Sequence, residues 1–172
     1  MKKLLLLRHA KSNWGTPDCD DHERPLALRG RAAAPQMGAC LRERNLRPDL
    51  VLCSSAVRCQ QTLELLGDAV KGVRASSERE LYLASGLRLL DRVRQLDDVV
   101  NRVLLIAHNP GIADAAQMLI GDGDKKGRNA LAGKFQTAAL AEITFDTQHW
   151  NEIGPSLGTL QAFVCPGDLT NV

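Results

Sequence analysis

A chain of 172 residues, 44% apolar and 24% charged, is long enough for one domain with a full hydrophobic core and too apolar for a disordered segment. A net charge of +2, no basic run and only three Phe, two Trp and one Tyr argue against a nucleic-acid arm or a base-stacking surface. No stretch reaches the length of a membrane span, and the leucines after Lys3 are too few for a secretory leader. A cytoplasmic protein with no nucleic-acid or membrane partner is expected. Cysteines stand at 19, 40, 53, 59 and 165 with no Cys-x-x-Cys pair, which reads as inert thiols rather than disulfides or a metal site.

Leu4-Leu5-Leu6-Leu7 runs directly into Arg8 and His9. A short apolar run bounded by charge fits a fully buried strand. Arg8 and His9 then stand where that strand ends, the edge of an α/β sheet at which ligands bind. Residues 12–25, with Asn13, Gly15, Pro17 and Asp18 among them, have loop chemistry and should lie over that edge. A helix is predicted over residues 31–44 from Ala33, Met37, Cys40 and Leu41, either starting near Pro35 or kinked there.

Residues 49–53 read as a second buried strand, and Ser54 and Ser55 can cap the helix after it. That helix carries Val57, Cys59, Leu63, Leu66 and Val70 and ends near Gly67 or Gly72. Residues 72–75 are read as a short third strand and 76–85 as a link. Leu87, Leu90, Val93 and Leu96 mark a helix burying one stripe. Residues 102–107 form the clearest strand after the first. Pro110 suits the first position of a helix, which continues through Ile120. Residues 121–134 look like a mobile, basic loop. Residues 138–145 and 159–165 are two late strands, antiparallel because no helix separates them. The sum is a single three-layer α/β/α domain, residues 1–172, with a mostly parallel sheet and late antiparallel strands.

If the early strands are parallel, Arg8, His9, Arg58 and His108 gather at one sheet edge. Two arginines offer forks of donors suited to a phosphate; one neutral histidine offers a nucleophile and the other a hydrogen-bond donor. Each residue also has a plainer reading: a structural histidine, a charged strand end, a solvated helix arginine.

At this point the chain resembles a known family. Leu7-Arg8-His9-Ala10-Lys11-Ser12, then Ser54-Ser55-Ala56-Val57-Arg58-Cys59-Gln60-Gln61-Thr62, then Ile106-Ala107-His108-Asn109-Pro110-Gly111 resemble, in order, the motifs of the histidine phosphatase superfamily. Asp21-x-x-Arg24-Pro25-Leu26-x-x-Arg29-Gly30 and the late Trp150 resemble its small SixA-type branch, the phosphohistidine phosphatases. Ala10 stands where the superfamily more often has Gly.

The resemblance implies that His9 is the nucleophile that becomes phosphorylated. It implies that Arg8, Arg58 and His108 complete the phosphate pocket and that Glu80 is the proton donor. Rivals for that last role are Asp18, Asp20, Asp21 and Glu23. Ser12 and Asn13 are candidate extra donors to the phosphate. Arg24 either holds the site loop through Asp21 or binds substrate. Lys125, Lys126, Arg128 and Lys134 read as solvated charge or as a docking patch for a phosphorylated protein. No cofactor or metal is expected. The short chain leaves little room for a cap, so an open site and a phosphorylated protein are expected as substrate. A small phosphate ester is the alternative, and a phosphate-binding module without catalysis or a mutase are the outer ones.

Overall fold

The computed structural model describes residues 1–15 and 17–169. Thr16 of the predicted loop, and residues 170–172 of the predicted domain, lie outside the described residues. In chain order the elements are β1 (Lys2–Arg8), α1 (Leu28–Glu43), β2 (Leu50–Ser54), α2 (Val57–Leu65), β3 (Arg74–Glu78), α3 (Gly86–Arg94), β4 (Arg102–Ala107) and α4 (Gly111–Leu119). There follow β5 (Ile120–Gly123), α5 (Lys125–Gly133), β6 (Leu140–Phe145), β7 (Gly158–Val164) and α6 (Pro166–Leu169). One sheet of seven strands runs in the order β3-β2-β4-β1-β6-β7-β5. Strands β3, β2, β4 and β1 are mutually parallel, β6 is antiparallel to both β1 and β7, and β5 is parallel to β7. The mostly parallel sheet and the antiparallel β6–β7 pair agree with the sequence reading.

Alternation along the central strands assigns the layers, since successive side chains point to opposite faces. Leu4, Leu6, Val103, Leu105 and Ala107 pack on one side with Leu89, Leu90 and Val93 of α3 and Ile112, Ala115 and Ala116 of α4. Leu5, Leu7, Leu104 and Ile106 pack on the other with Ala34, Met37 and Leu41 of α1 and Cys59 of α2. Both faces are covered, which is why these strands read as unbroken apolar runs. Trp150 is fully buried in the first layer, and its Nε1 donates to Val100 O at 2.7 Å. No helix among the described residues is long and apolar enough to cross a membrane.

Several elements depart from the sequence reading for identifiable reasons. Helix α1 begins a turn earlier than predicted and passes through Pro35. Pro35 and Arg31 are both exposed, so the carbonyl that loses its partner at Arg31 lies on the solvent side of the helix. Neither Ser54 nor Ser55 caps α2: its N-cap is Ala56, with no side-chain cap. Strand β3 starts two residues later than predicted and is a half-exposed sheet edge, so it carries no apolar run to find. Leu87 is exposed rather than core, because α3 buries Leu89, Leu90 and Val93 instead. Ile120 leaves α4 to open β5. The predicted loop at 121–134 is mostly β5 and α5, its helix capped by Asp124, whose carboxylate accepts from the Gly127 amide at 2.8 Å.

Candidate active site

Strands β1, β4 and β2 end level with one another. Arg8 pairs with Ala107 and Cys53 with Ile106, and the His9 amide donates to Ala107 O at 3.1 Å. His9 and His108 therefore leave adjacent strands side by side, their ring centroids 5.1 Å apart. Arg58 reaches the same edge from the first turn of α2. Thr62, one turn on, locks this arrangement: its hydroxyl accepts from the Ala10 amide at 3.0 Å and donates to Arg58 O at 2.7 Å. Gly30 has a steric task here. A Cβ on it would stand 2.1 Å from Lys11 O, so only glycine lets α1 press against the backbone that follows His9.

The cleft at this edge has a volume of about 250 Å³. Of the residues singled out in the sequence, Arg8, His9, Ser12, Arg58 and His108 all line it. Lys11 and Arg24 add two more cations, and Asp21 is the one carboxylate among the described lining residues. With neutral histidines the cleft is strongly positive.

Both histidines are neutral. Burial, reinforced by the charges of Arg58, Arg8 and Arg24, brings His9 down to about 4 against the opposing hydrogen bond to Ala10. Burial first, then His9 and Arg58, bring His108 down to about 3. Hydrogen bonding assigns the tautomers. His9 Nδ1 lies 2.7 Å from Ala10 O, an acceptor only, so Nδ1 carries the proton and Nε2 keeps its lone pair. Arg58 Nη2 donates to His108 Nδ1 at 3.2 Å, so His108 Nε2 bears its proton and donates to Ser54 Oγ at 2.7 Å.

Asp21 fastens the loop over the cleft. Its carboxylate accepts from Arg24 Nε at 2.9 Å, Arg58 Nη2 at 3.1 Å and the Tyr82 hydroxyl, and its carbonyl accepts from Arg58 Nη1 at 2.6 Å. The Tyr82 bond, with those from Arg24 and Arg58, holds the Asp21 carboxyl well below the usual carboxylate range. It is therefore ionised at neutral pH and no proton donor. Arg24 also donates to Ser12 Oγ at 2.7 Å and lies 3.6 Å from the centroid of the Trp14 ring. The Ser12 hydroxyl is thus engaged with Arg24.

Four buried side-chain polar atoms among the described residues have no partner, and three belong to the cleft lining: Arg8 Nε, Arg58 Nε and Asn109 Oδ1. A buried unpaired donor is unfavourable by about 1–3 kcal/mol. Arg8 and Arg58 thus each keep one buried Nε–H without a partner beside the cleft.

Glu80 is not brought to this cleft. It sits in a separate depression with Arg88, Asp91 and Arg92, 73% exposed and 3.6 Å from Arg88. Exposed pairs of this kind contribute little, so Glu80→Gln is expected to alter turnover of a phosphorylated substrate by less than roughly twofold. A steady-state comparison with wild type checks this; a loss of about 10²-fold would return Glu80 to the proton-donor role. Asp18, Asp20 and Glu23 also lie outside the cleft lining. Sequence reasoning missed Lys11, Trp14, Asn109 and Thr137, all of which line the cleft. Adjacency to the motif residues is a signal for Lys11 and Asn109; Trp14 and Thr137 had none. From sequence Ser54 reads as a cap and as the start of the second motif, and Tyr82 as part of a link; neither reading foresees their bonds to His108 and Asp21. Among the described residues no group of three or more His, Cys, Asp or Glu is placed to hold a metal ion.

Residues 4–82 match the family described as the histidine phosphatase superfamily (branch 1). An uncharacterized protein of Mycobacterium tuberculosis (strain H37Rv) is 33% identical over 163 residues, 93% of this chain and 99% of that one. Among solved structures, a candidate phosphohistidine phosphatase, SixA from Agrobacterium tumefaciens, is similar at 30% identity with a TM-score of 0.81, covering 96% of this chain and 98% of that one. The protein histidine phosphatase SixA complexed with tungstate shares the fold at a TM-score of 0.77 and 24% identity, covering 97% of this chain and 99% of that one.

Proposed function

The chain belongs to the histidine phosphatase superfamily, in its small SixA-type branch, and we propose that it is a phosphatase that transfers phosphate to His9 and thence to water, with protein phosphohistidine as substrate. The observation that carries the reading is the neutral His9, Nδ1 tied to Ala10 O, in a cleft it shares with Arg8, Arg24 and Arg58. A free imidazole lone pair beside a bound phosphoryl group is a nucleophile, and the guanidinium groups are suited to the equatorial oxygens.

In the first step His9 Nε2 bonds to phosphorus while the bond to the leaving group breaks. In the second, water oxygen bonds to phosphorus, the bond to Nε2 breaks, and phosphate leaves. Arg8 and Arg58 stabilise charge on the phosphoryl oxygens in both. The state of Asp21 supports the substrate class. An alkyl ester leaves as an alkoxide, a strong base that needs an acid. Asp21 is held ionised by Tyr82, Arg24 and Arg58. Phosphohistidine protonated by solvent on its other ring nitrogen leaves as a neutral imidazole, the same group as the nucleophile, so one P–N bond is exchanged for another without an acid from the enzyme. Exposed Trp14 and Leu83 at the mouth of the cleft suit a polypeptide surface better than a small metabolite.

Phosphate release from a histidine-phosphorylated protein, p-nitrophenyl phosphate and glycerol phosphate, compared side by side, tests the reading. Turnover of the first two, whose leaving groups need no acid from the enzyme, with little of the third is expected. Comparable turnover of glycerol phosphate would move the substrate to small phosphomonoesters. No turnover of any would leave a phosphate-binding module.

The neutral imidazole is the active form, so protonation removes activity as pH falls. Because His9 is brought down to about 4, the acid limb of kcat/KM for p-nitrophenyl phosphate, which reports the free enzyme, is expected near pH 4 and not at the ordinary histidine value. A limb centred near 6.5 would place His9 in an ordinary environment. Circular dichroism at each pH separates this from unfolding. Folded-state values below the unfolded one mean that the two histidines withdraw stability as pH falls from about 6.5 toward 4 and 3.

A further inference from the structure

We propose that the basic face of α5 is a docking surface for acidic residues flanking the phosphohistidine of the substrate polypeptide, an inference that rests on the substrate reading above. Residues 125–137 contain Lys125, Lys126, Arg128 and Lys134 and no carboxylate, leaving 18 basic against 20 acidic residues in the rest of the chain. Asp122 and Asp124 stand immediately before it, so residues 122–137 carry a net charge of +2, the net charge of the whole chain. All four side chains are exposed, and none has an ion pair among the described residues.

Lys125 and Arg128 rim a groove of about 550 Å³ whose apolar lining comes from Ile120, Leu131 and Ala132. Asp122 also lines it, with its Oδ1 accepting from the Gly123 amide at 2.7 Å. Cations over an apolar floor fit a partner surface that mixes carboxylates with aliphatic side chains.

The segment leads into the cleft. Phe135 O accepts from Arg8 Nη1 at 2.8 Å and Asn109 Nδ2 at 3.0 Å, and Thr137 lines the cleft itself. Lys134 is thus within about 10 Å of Thr137 along the chain, and α5 adds about 13 Å beyond it. A standard interface, about 800 Å² on each partner, spans about 30 Å. A protein of standard interface size seated with its phosphohistidine in the cleft is large enough to reach α5. Complementary charge there acts mainly on encounter and therefore on KM.

The test uses two synthetic phosphohistidine peptides, one flanked by glutamates and one by serines and glutamines. At low salt the acidic peptide is expected to show a kcat/KM about tenfold or more higher. That preference should vanish at about 0.5 M salt and in the variant K125E/K126E/R128E. The same variant should leave p-nitrophenyl phosphate turnover unchanged. Glutamate in the first turn of a helix is favoured by the helix dipole, so the variant is expected to fold. Equal turnover of both peptides by wild type, or a preference that survives reversal, overturns the proposal.

If p-nitrophenyl phosphate is hydrolysed but neither peptide is, the substrate reading has failed, and fluorescence anisotropy decides docking by itself. Tighter binding of the unphosphorylated acidic peptide to wild type than to the reversal variant, by about tenfold, supports the surface; equal binding overturns it. Reversal-sensitive binding to phosphatidylserine vesicles with no peptide preference would assign the face to lipid and overturn the proposal as well.

Discussion

His9→Ala is expected to lower kcat for p-nitrophenyl phosphate by about 10⁴-fold or more, the scale on which loss of a nucleophile is felt. Of the two histidines among the described cleft residues, His9 alone has no partner on its lone pair. His108 has Nδ1 engaged by Arg58 and Nε2 by Ser54, so it cannot substitute without breaking two hydrogen bonds. Wild type quenched in alkali during turnover should carry protein-bound phosphate that is lost in acid, the behaviour of a phosphoramidate. The alanine variant should carry none. A variant within about tenfold of wild type would mean that water attacks directly and that His9 only binds. His9 is nearly buried and its ring stands beside that of His108, so a thermal melt should accompany the assay to show that the loss is chemical.

Arg58→Ala is expected to reduce kcat by about 10²–10³-fold, the loss that follows removal of a charge-stabilising donor. Arg58 is almost fully buried, yet its partner Asp21 keeps Arg24 and Tyr82 and is partly exposed. Removing the guanidinium therefore does not strand a buried charge, and the loop should stay in place. Arg58→Lys separates charge from geometry. An ammonium restores the charge but not the fork that reaches Asp21 O, Asp21 Oδ2 and His108 Nδ1 together. Lysine is expected to remain well below wild type in kcat. Recovery to within about twofold would reduce the role of Arg58 to bulk electrostatics.

The layered fold and its parallel core are legible because the central strands are buried on both faces and so appear as runs of Leu, Val and Ile. His9 and His108 are legible for the same reason: each immediately follows such a run. Asp21 is a different case. It lies in a short helical turn within a polar loop that holds four carboxylates; its pairing with Arg24 is one of the sequence readings, but nothing in spacing says that the same carboxylate meets Arg58 and Tyr82. Glu80 shows the converse. Its neighbourhood in sequence matches a motif, but in a three-residue helical turn adjacent side chains diverge: Leu81 is buried, and Tyr82, just after the turn, reaches Asp21. Helix α5 escapes a periodicity reading because its three cations and two glycines outweigh its single buried leucine.

Strand β1 lies inside the sheet, with Leu4 opposite Val103 on one side and Ile143 on the other. Both neighbours are made long after it during synthesis. The nascent chain thus carries an unsatisfied apolar strand until residues beyond β6 have left the ribosome, and vectorial completion of the sheet from the N-terminus is impossible. Such non-local pairing slows folding and leaves sticky segments open to association. The hydrogen bonds that place His9, its amide on Ala107 O and the Ala138 amide on its carbonyl, come from residues made long after it, so chains truncated before them hold His9 but not the cleft around it.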